Sequence, residues 1–141
     1  MGETAEALRA WAKGMYATEA AVELLIRANL GVYASAPWIV PTGDSRAALD
    51  PDALLDGSGA WSGGERRLVA IVVSLLGAEP VNLAEALPGL DREHLDLLLA
   101  ALAHAAGSHE HSGLVTDETG RPTGFTRLDT LYPWPAASAA H

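Results

Sequence analysis

The apolar residues Leu8, Trp11, Met15, Val22, Leu25, Ile26 and Leu30 recur at steps of three and four, which predicts one long amphipathic helix from Glu3 to about Leu30. Gly14 interrupts that pattern and marks a bend or a close contact. Glu23 and Arg27 stand as a favourable i,i+4 pair, and Gly31 is the natural stop. Trp38-Ile39-Val40 and Arg46-Ala47-Ala48-Leu49 flank a turn rich in Gly and Asp, which reads as a short hairpin. Asp50 before Pro51 signals a helix start, and a short helix should run to about Leu55.

Ser62-Gly63-Gly64-Glu65 has the spacing of a capping box and opens the most apolar stretch, Leu68 to Leu76, a helix apolar on nearly every face and so expected at the centre. Asn82-Leu83-Ala84-Glu85 repeats the capping pattern for one short turn. Asp91 caps a further helix over 92–106, with Leu95, Leu98, Leu99, Leu102 and Ala106 on one face and Gly107 as its end. Leu114-Val115-Thr116 and Gly124 to Leu128 suggest a second hairpin, and Tyr132-Pro133-Trp134-Pro135 an extended segment. The expected architecture is mainly α within the α+β class: about five helices with two small β-hairpins, one domain over 1–135 and a frayed tail over 136–141.

Composition narrows the chemistry. The chain has no cysteine, which removes disulfides, thiolate nucleophiles, Cys-ligated zinc and iron–sulfur clusters. Its one lysine, Lys13, follows no Gly-x-x-x-x-Gly, so there is no phosphate-loop motif. Nine basic residues against eighteen acidic ones give a net charge of −9, and Arg66-Arg67 is the one adjacent basic pair, which argues against nucleic-acid binding. The longest apolar run, Leu68 to Ala78, is broken by Ser74 and Gly77 and falls short of the ~20 residues a membrane span needs. With an acidic N-terminus where a signal peptide is basic, a soluble cytoplasmic protein is expected. The acidic charge is spread along the chain, much of it at helix starts such as Asp50, Glu65, Glu85 and Asp91.

Trp61-Ser62-Gly63-Gly64-Glu65-Arg66-Arg67-Leu68 resembles the signature helix of ABC-type ATPases. Glu85 and Gly89-Leu90-Asp91 fall about where that family has its catalytic glutamate and D-loop. In the family this helix start holds a phosphate, which implies an anion- or nucleotide-binding role for Ser62, Gly63, Gly64 and Arg66. The chain lacks the Walker A loop and has Ala84 where the family's magnesium-binding aspartate stands, so an ordinary capping box is the competing reading. A second resemblance covers most of the chain. The blocks Gly14 to Ile26, Ser62 to Glu65, Gly89-Leu90-Asp91 and His104-Ala105-Ala106-Gly107 are similar to those of small actinobacterial proteins, a likeness that brings no activity with it.

His104, His109, Glu110 and His111 gather around the end of the last helix. His109 and His111 share a side if the chain is extended there, with His104 within reach as a third ligand for zinc, nickel or copper. A solvated loop with histidines favoured by the helix dipole fits the same residues. The carboxylate pairs Glu19 with Glu23 and Asp50 with Asp52 read as solubility and capping groups, and no Gly-x-Ser-x-Gly elbow offers a nucleophile. Of the four tryptophans, Trp38 and Trp134 lie beside prolines, where with Tyr132 they either seal the core or form a binding patch. These features point to a non-catalytic accessory protein working through a protein partner or a homo-oligomer. Metal binding at the histidine cluster is the alternative and anion binding at Ser62 the third.

Overall fold

The computed structural model describes residues 2–136. Six helices and two separate antiparallel hairpins follow in the order α1 (Gly2–Ala12), α2 (Tyr16–Arg27), β1 (Ile39–Gly43), β2 (Arg46–Leu49), α3 (Pro51–Gly57), α4 (Gly63–Leu75), α5 (Leu83–Ala86), α6 (Arg92–Ala105), β3 (Ser112–Thr116) and β4 (Pro122–Arg127). Short 3-10 turns occupy Leu87–Gly89 and Ser108–Glu110. The α+β expectation holds, with six helices instead of five. The expected long first helix is two helices. Gly14 takes φ +97°, a conformation closed to α-helix and costly for any residue with a Cβ, so the chain breaks there and does not merely bend. No helix among the described residues is long and apolar enough to cross a membrane. Beyond Ala136, the expected frayed tail lies outside the described residues.

Local chemistry sets most element starts. Asp50 accepts the Ala53 N–H at 3.2 Å with Pro51 just inside α3, and Asp91 accepts the His94 N–H at 2.8 Å. The Ser62–Glu65 capping box is complete, with Ser62 Oγ accepting the Glu65 N–H at 3.3 Å and Glu65 Oε1 accepting the Ser62 N–H at 3.1 Å. Asn82 caps α5 through the Ala84 N–H, without the reciprocal bond expected from Glu85. In the first hairpin Asp44 and Ser45 both have positive φ, as a two-residue type I′ turn requires.

Leu8, Leu24, Leu25, Leu54, Leu68, Val69, Val72 and Leu98 are fully buried and bring α1, α2, α3, α4 and α6 together around one core. α4 buries Leu68, Val69, Ile71, Val72 and Val73 in that core, while α2, in contact with α1, α4 and α6, holds the centre expected for α4. The most extensive helix–helix contact is between α2 and α6. It turns α6 away from the expected face. Leu97, Leu98, Ala100 and Ala101 are buried, whereas Leu95, Leu99 and Leu102 are 40%, 41% and 45% exposed. The buried face of α6 mixes Leu97 and Leu98 with the small Ala100 and Ala101, and α2 buries the small Ala20 and Ala21 in the same core.

Trp38 sits inside this core, 4% exposed, which removes it from the candidate binding patch. Its indole N–H donates to the Gly31 carbonyl at 2.9 Å, and its ring lies edge-on to Trp61 and Tyr33 at centroid distances of 5.7 and 5.9 Å. A Cβ at Gly57 would meet it at 2.4 Å and one at Gly31 at 2.6 Å, so both glycines are set by this ring.

Candidate functional site

The end of α6, the start of α2 and the Ser108–Glu110 turn meet beside Trp134. Glu19 comes from the first turn of α2 and His104 from the last turn of α6, where a histidine also suits the helix dipole. Gly107, at φ +78°, ends α6 and reverses the chain, which brings His109 back over His104. The two imidazoles stack at 3.9 Å with their planes 8° apart, and Tyr16 meets His109 edge-on at 4.8 Å. His104 Nε2 lies 2.8 Å from Glu19 Oε1. One ligand atom from each of Glu19, His104 and His109 falls within 4.8 Å of the others.

Glu19 and Glu23 are not the solvated pair expected from sequence. Their side chains are 23% and 16% exposed, and each holds separate partners. Burial pushes the Glu19 carboxyl upward. The Gly14 N–H at 2.9 Å, the His104 hydrogen bond and the two imidazoles together outweigh burial and hold its pKa below the usual glutamate value. Glu23 is likewise pushed up by burial and brought below its ordinary value by Arg9 and Arg27, with Arg27 Nε at 2.9 Å. Glu23 thereby ties α1 to α2. A cleft of about 370 Å³ opens beside the cluster, lined by Arg9, Lys13, Glu19, His104 and Trp134 among others.

Of the three histidines expected to act together, His104 and His109 do meet. His111 is exposed and stands outside the group; the third ligand position is filled by Glu19, 85 residues from His104 in sequence. The reason is the turn. Ser108–Glu110 closes a 3-10 turn instead of an extended strand, so His109 and His111 do not share a side. Glu19 carried no signal in the sequence beyond that of an ordinary helix glutamate.

The start of α4 is organised for packing. Both capping-box hydrogen bonds are made, and the Glu65 carboxylate stands at the helix start, where an incoming anion would meet its charge. Gly64 lies 3.3 Å, measured from an ideal Cβ, from the Gly89 carbonyl, and the guanidinium of Arg67 covers Gly89 so closely that a Cβ there would overlap it. Close approach of this helix start to the Leu87–Gly89 turn is thus a physical reason for those glycines. Gly63 and Arg66 line a shallow cleft of about 450 Å³ with Asn82 and Glu85.

Trp134 is half-buried against the core, with the Arg27 guanidinium 5.0 Å above its ring and the Pro135 carbonyl 3.3 Å from Arg27 Nη1. Tyr132 donates its hydroxyl proton to Asp96, a bond that raises the phenol pKa. Both residues therefore pin the C-terminal segment onto α2 and α6. Tyr132 also borders a groove of about 680 Å³ floored by the exposed Leu95 and Leu99.

The β3–β4 hairpin is different from everything else in the molecule. Leu114 faces Phe125 across the strands, and Asp117 closes the loop by accepting the Thr119 and Arg121 N–H groups at 2.9 and 3.0 Å. Yet among the described residues the hairpin makes only marginal contacts with other elements, the Arg127–Glu110 ion pair to the Ser108–Glu110 turn among its few ties, and Phe125 and, just beyond the hairpin, Leu131 are 80% and 85% exposed. No protein family, curated protein or solved structure matches the chain.

Proposed function

We propose that the protein is a self-associating accessory protein whose β3–β4 arm docks on a second copy of the chain. The observation that carries this reading is the thinly supported arm. A two-stranded hairpin is marginal in water by itself. Among the described residues this one has two unpaired edges and displays Leu114, Val115 and Phe125 to solvent, with Leu128 and Leu131 exposed just beyond it. Edges of this kind pair readily with another strand, and a two-fold arrangement lets the same surface serve both copies.

Charge favours the arm as the meeting point. The whole chain carries −9, which repels a second copy, but residues 112–131 hold three acids, Asp117, Glu118 and Asp129, against Arg121 and Arg127. The arm is therefore nearly neutral. Sedimentation velocity over a wide concentration range tests the reading: the chain should run at about twice its 14.7 kDa mass, and the double variant Phe125→Ser, Leu131→Ser should run as a monomer with an unchanged far-UV spectrum. A wild-type chain that stays monomeric at several hundred micromolar refutes self-association and leaves the arm to a different protein.

A further inference from the structure

We propose that Glu19, His104 and His109 form a zinc site that joins α2, the end of α6 and the turn after it. Two imidazoles and one carboxylate are a donor set suited to Zn²⁺, with a fourth position left for a small ligand. The cleft beside Glu19 and His104, lined also by Arg9, Lys13 and Glu23, leaves room for that ligand.

Three observations support the site. First, Glu19 Oε1 and His104 Nε2 are 2.8 Å apart, and ligand atoms on a tetrahedral zinc with bonds of about 2.0–2.1 Å are separated by about 3.3 Å, so the pair need open only slightly as the metal replaces the proton they share. Secondly, His109 Nδ1 is buried without a hydrogen-bond partner, and a buried polar atom in that state needs an explanation that a metal would supply. Thirdly, the Gly14 N–H donates to the other Glu19 oxygen, Oε2, at 2.9 Å, which fixes the ligand's orientation as outer hydrogen bonds do at metal sites.

The stacked rings define the movement required. Rings stacked with planes only 8° apart keep their nitrogen lone pairs in separate, nearly parallel planes, whereas ligation by both rings requires them to converge on one point. His109 must therefore turn out of the stack, and Tyr16, in edge contact with it, must follow. His109 belongs to the Ser108–Glu110 turn and not to a helix, so its ring can turn without a shift of α2 or α6.

The experiment uses the full chain without a polyhistidine tag, stripped of metal and titrated with Zn²⁺ against a chromogenic chelator, with Co²⁺ absorption reporting coordination. One equivalent should bind, and Co²⁺ should give the visible bands of a four-coordinate nitrogen and oxygen site. Glu19→Gln and His109→Gln should each weaken binding by more than the ~10–100-fold that losing an outer hydrogen-bond partner costs, and His111→Gln should leave it unchanged. Should Glu19→Gln fail to fold, as far-UV circular dichroism would show, His109→Gln alone decides, because its ring lies outside the main core. Absence of stoichiometric binding, retention of affinity in His109→Gln, or its loss in His111→Gln overturns the site.

Discussion

Replacing Gly57 by Ala tests the packing around Trp38 through the sign of its effect. Gly57 closes α3, and alanine in a helix normally gains up to about 1 kcal/mol over glycine, so propensity alone predicts stabilisation. The structure predicts the reverse. The new Cβ would lie 2.4 Å from Cζ3 of Trp38, where carbon atoms ordinarily rest about 3.5–4.0 Å apart, so the ring would have to recoil by more than 1 Å. It has nowhere to go. Gly31 already approaches the far part of the ring too closely to admit a Cβ, Trp61 stands edge-on, and the indole N–H is bonded to Gly31. Overpacking costs about 1–3 kcal/mol, and an approach of 2.4 Å to a ring held on its other sides places this case at the upper end, about 2–3 kcal/mol, leaving a net loss of about 1–2 kcal/mol and a thermal midpoint lower by roughly 3–8 °C. Thermal and urea unfolding of the wild type, Gly57→Ala, Trp38→Phe and the double variant measure it, with the smaller phenylalanine ring expected to relieve most of the clash. A neutral or stabilising Gly57→Ala would refute the packing described.

Other consequences are equally direct. Glu23 has a depressed pKa in the folded state, so its stabilisation is fully present above the ordinary glutamate value of 4.5 and is lost as pH falls through the lower folded value. Glu23→Gln should cost about 1 kcal/mol at neutral pH, and urea midpoints should show a flatter fall below pH 4.5 than in the wild type. Ser62→Ala removes half of the α4 capping box and should cost about 0.5–2 kcal/mol in urea unfolding, with a loss of the same size in the presence or absence of millimolar phosphate. A phosphate-dependent loss would revive the anion-binding reading of that helix start.

The parts of this fold that were legible in the sequence are those set within a few residues. Asp50 with Pro51, the Ser62–Glu65 box and Asp91 announce their helices because each cap satisfies its own first turn. The two hairpins were legible for the same reason, through their turn residues. α6 was misread because Leu95, Leu97, Leu98, Leu99 and Leu102 ring the helix, so periodicity alone does not choose a face. The choice falls to α2, whose small Ala20 and Ala21 are buried in the same core. The candidate metal cluster was half visible: His104 and His109 stand close in sequence, while Glu19 arrives only through the α2–α6 packing and His111 is turned away by a 3-10 turn.

The association proposed for the arm is tested most directly by amide hydrogen exchange followed as a function of protein concentration. As monomer gives way to dimer, the N–H groups of β3 and β4 should become protected together, while locally opening N–H groups remote from the arm, as in α3, should exchange at a rate independent of concentration. Exchange in β3 and β4 that does not change from low to high concentration would contradict the account.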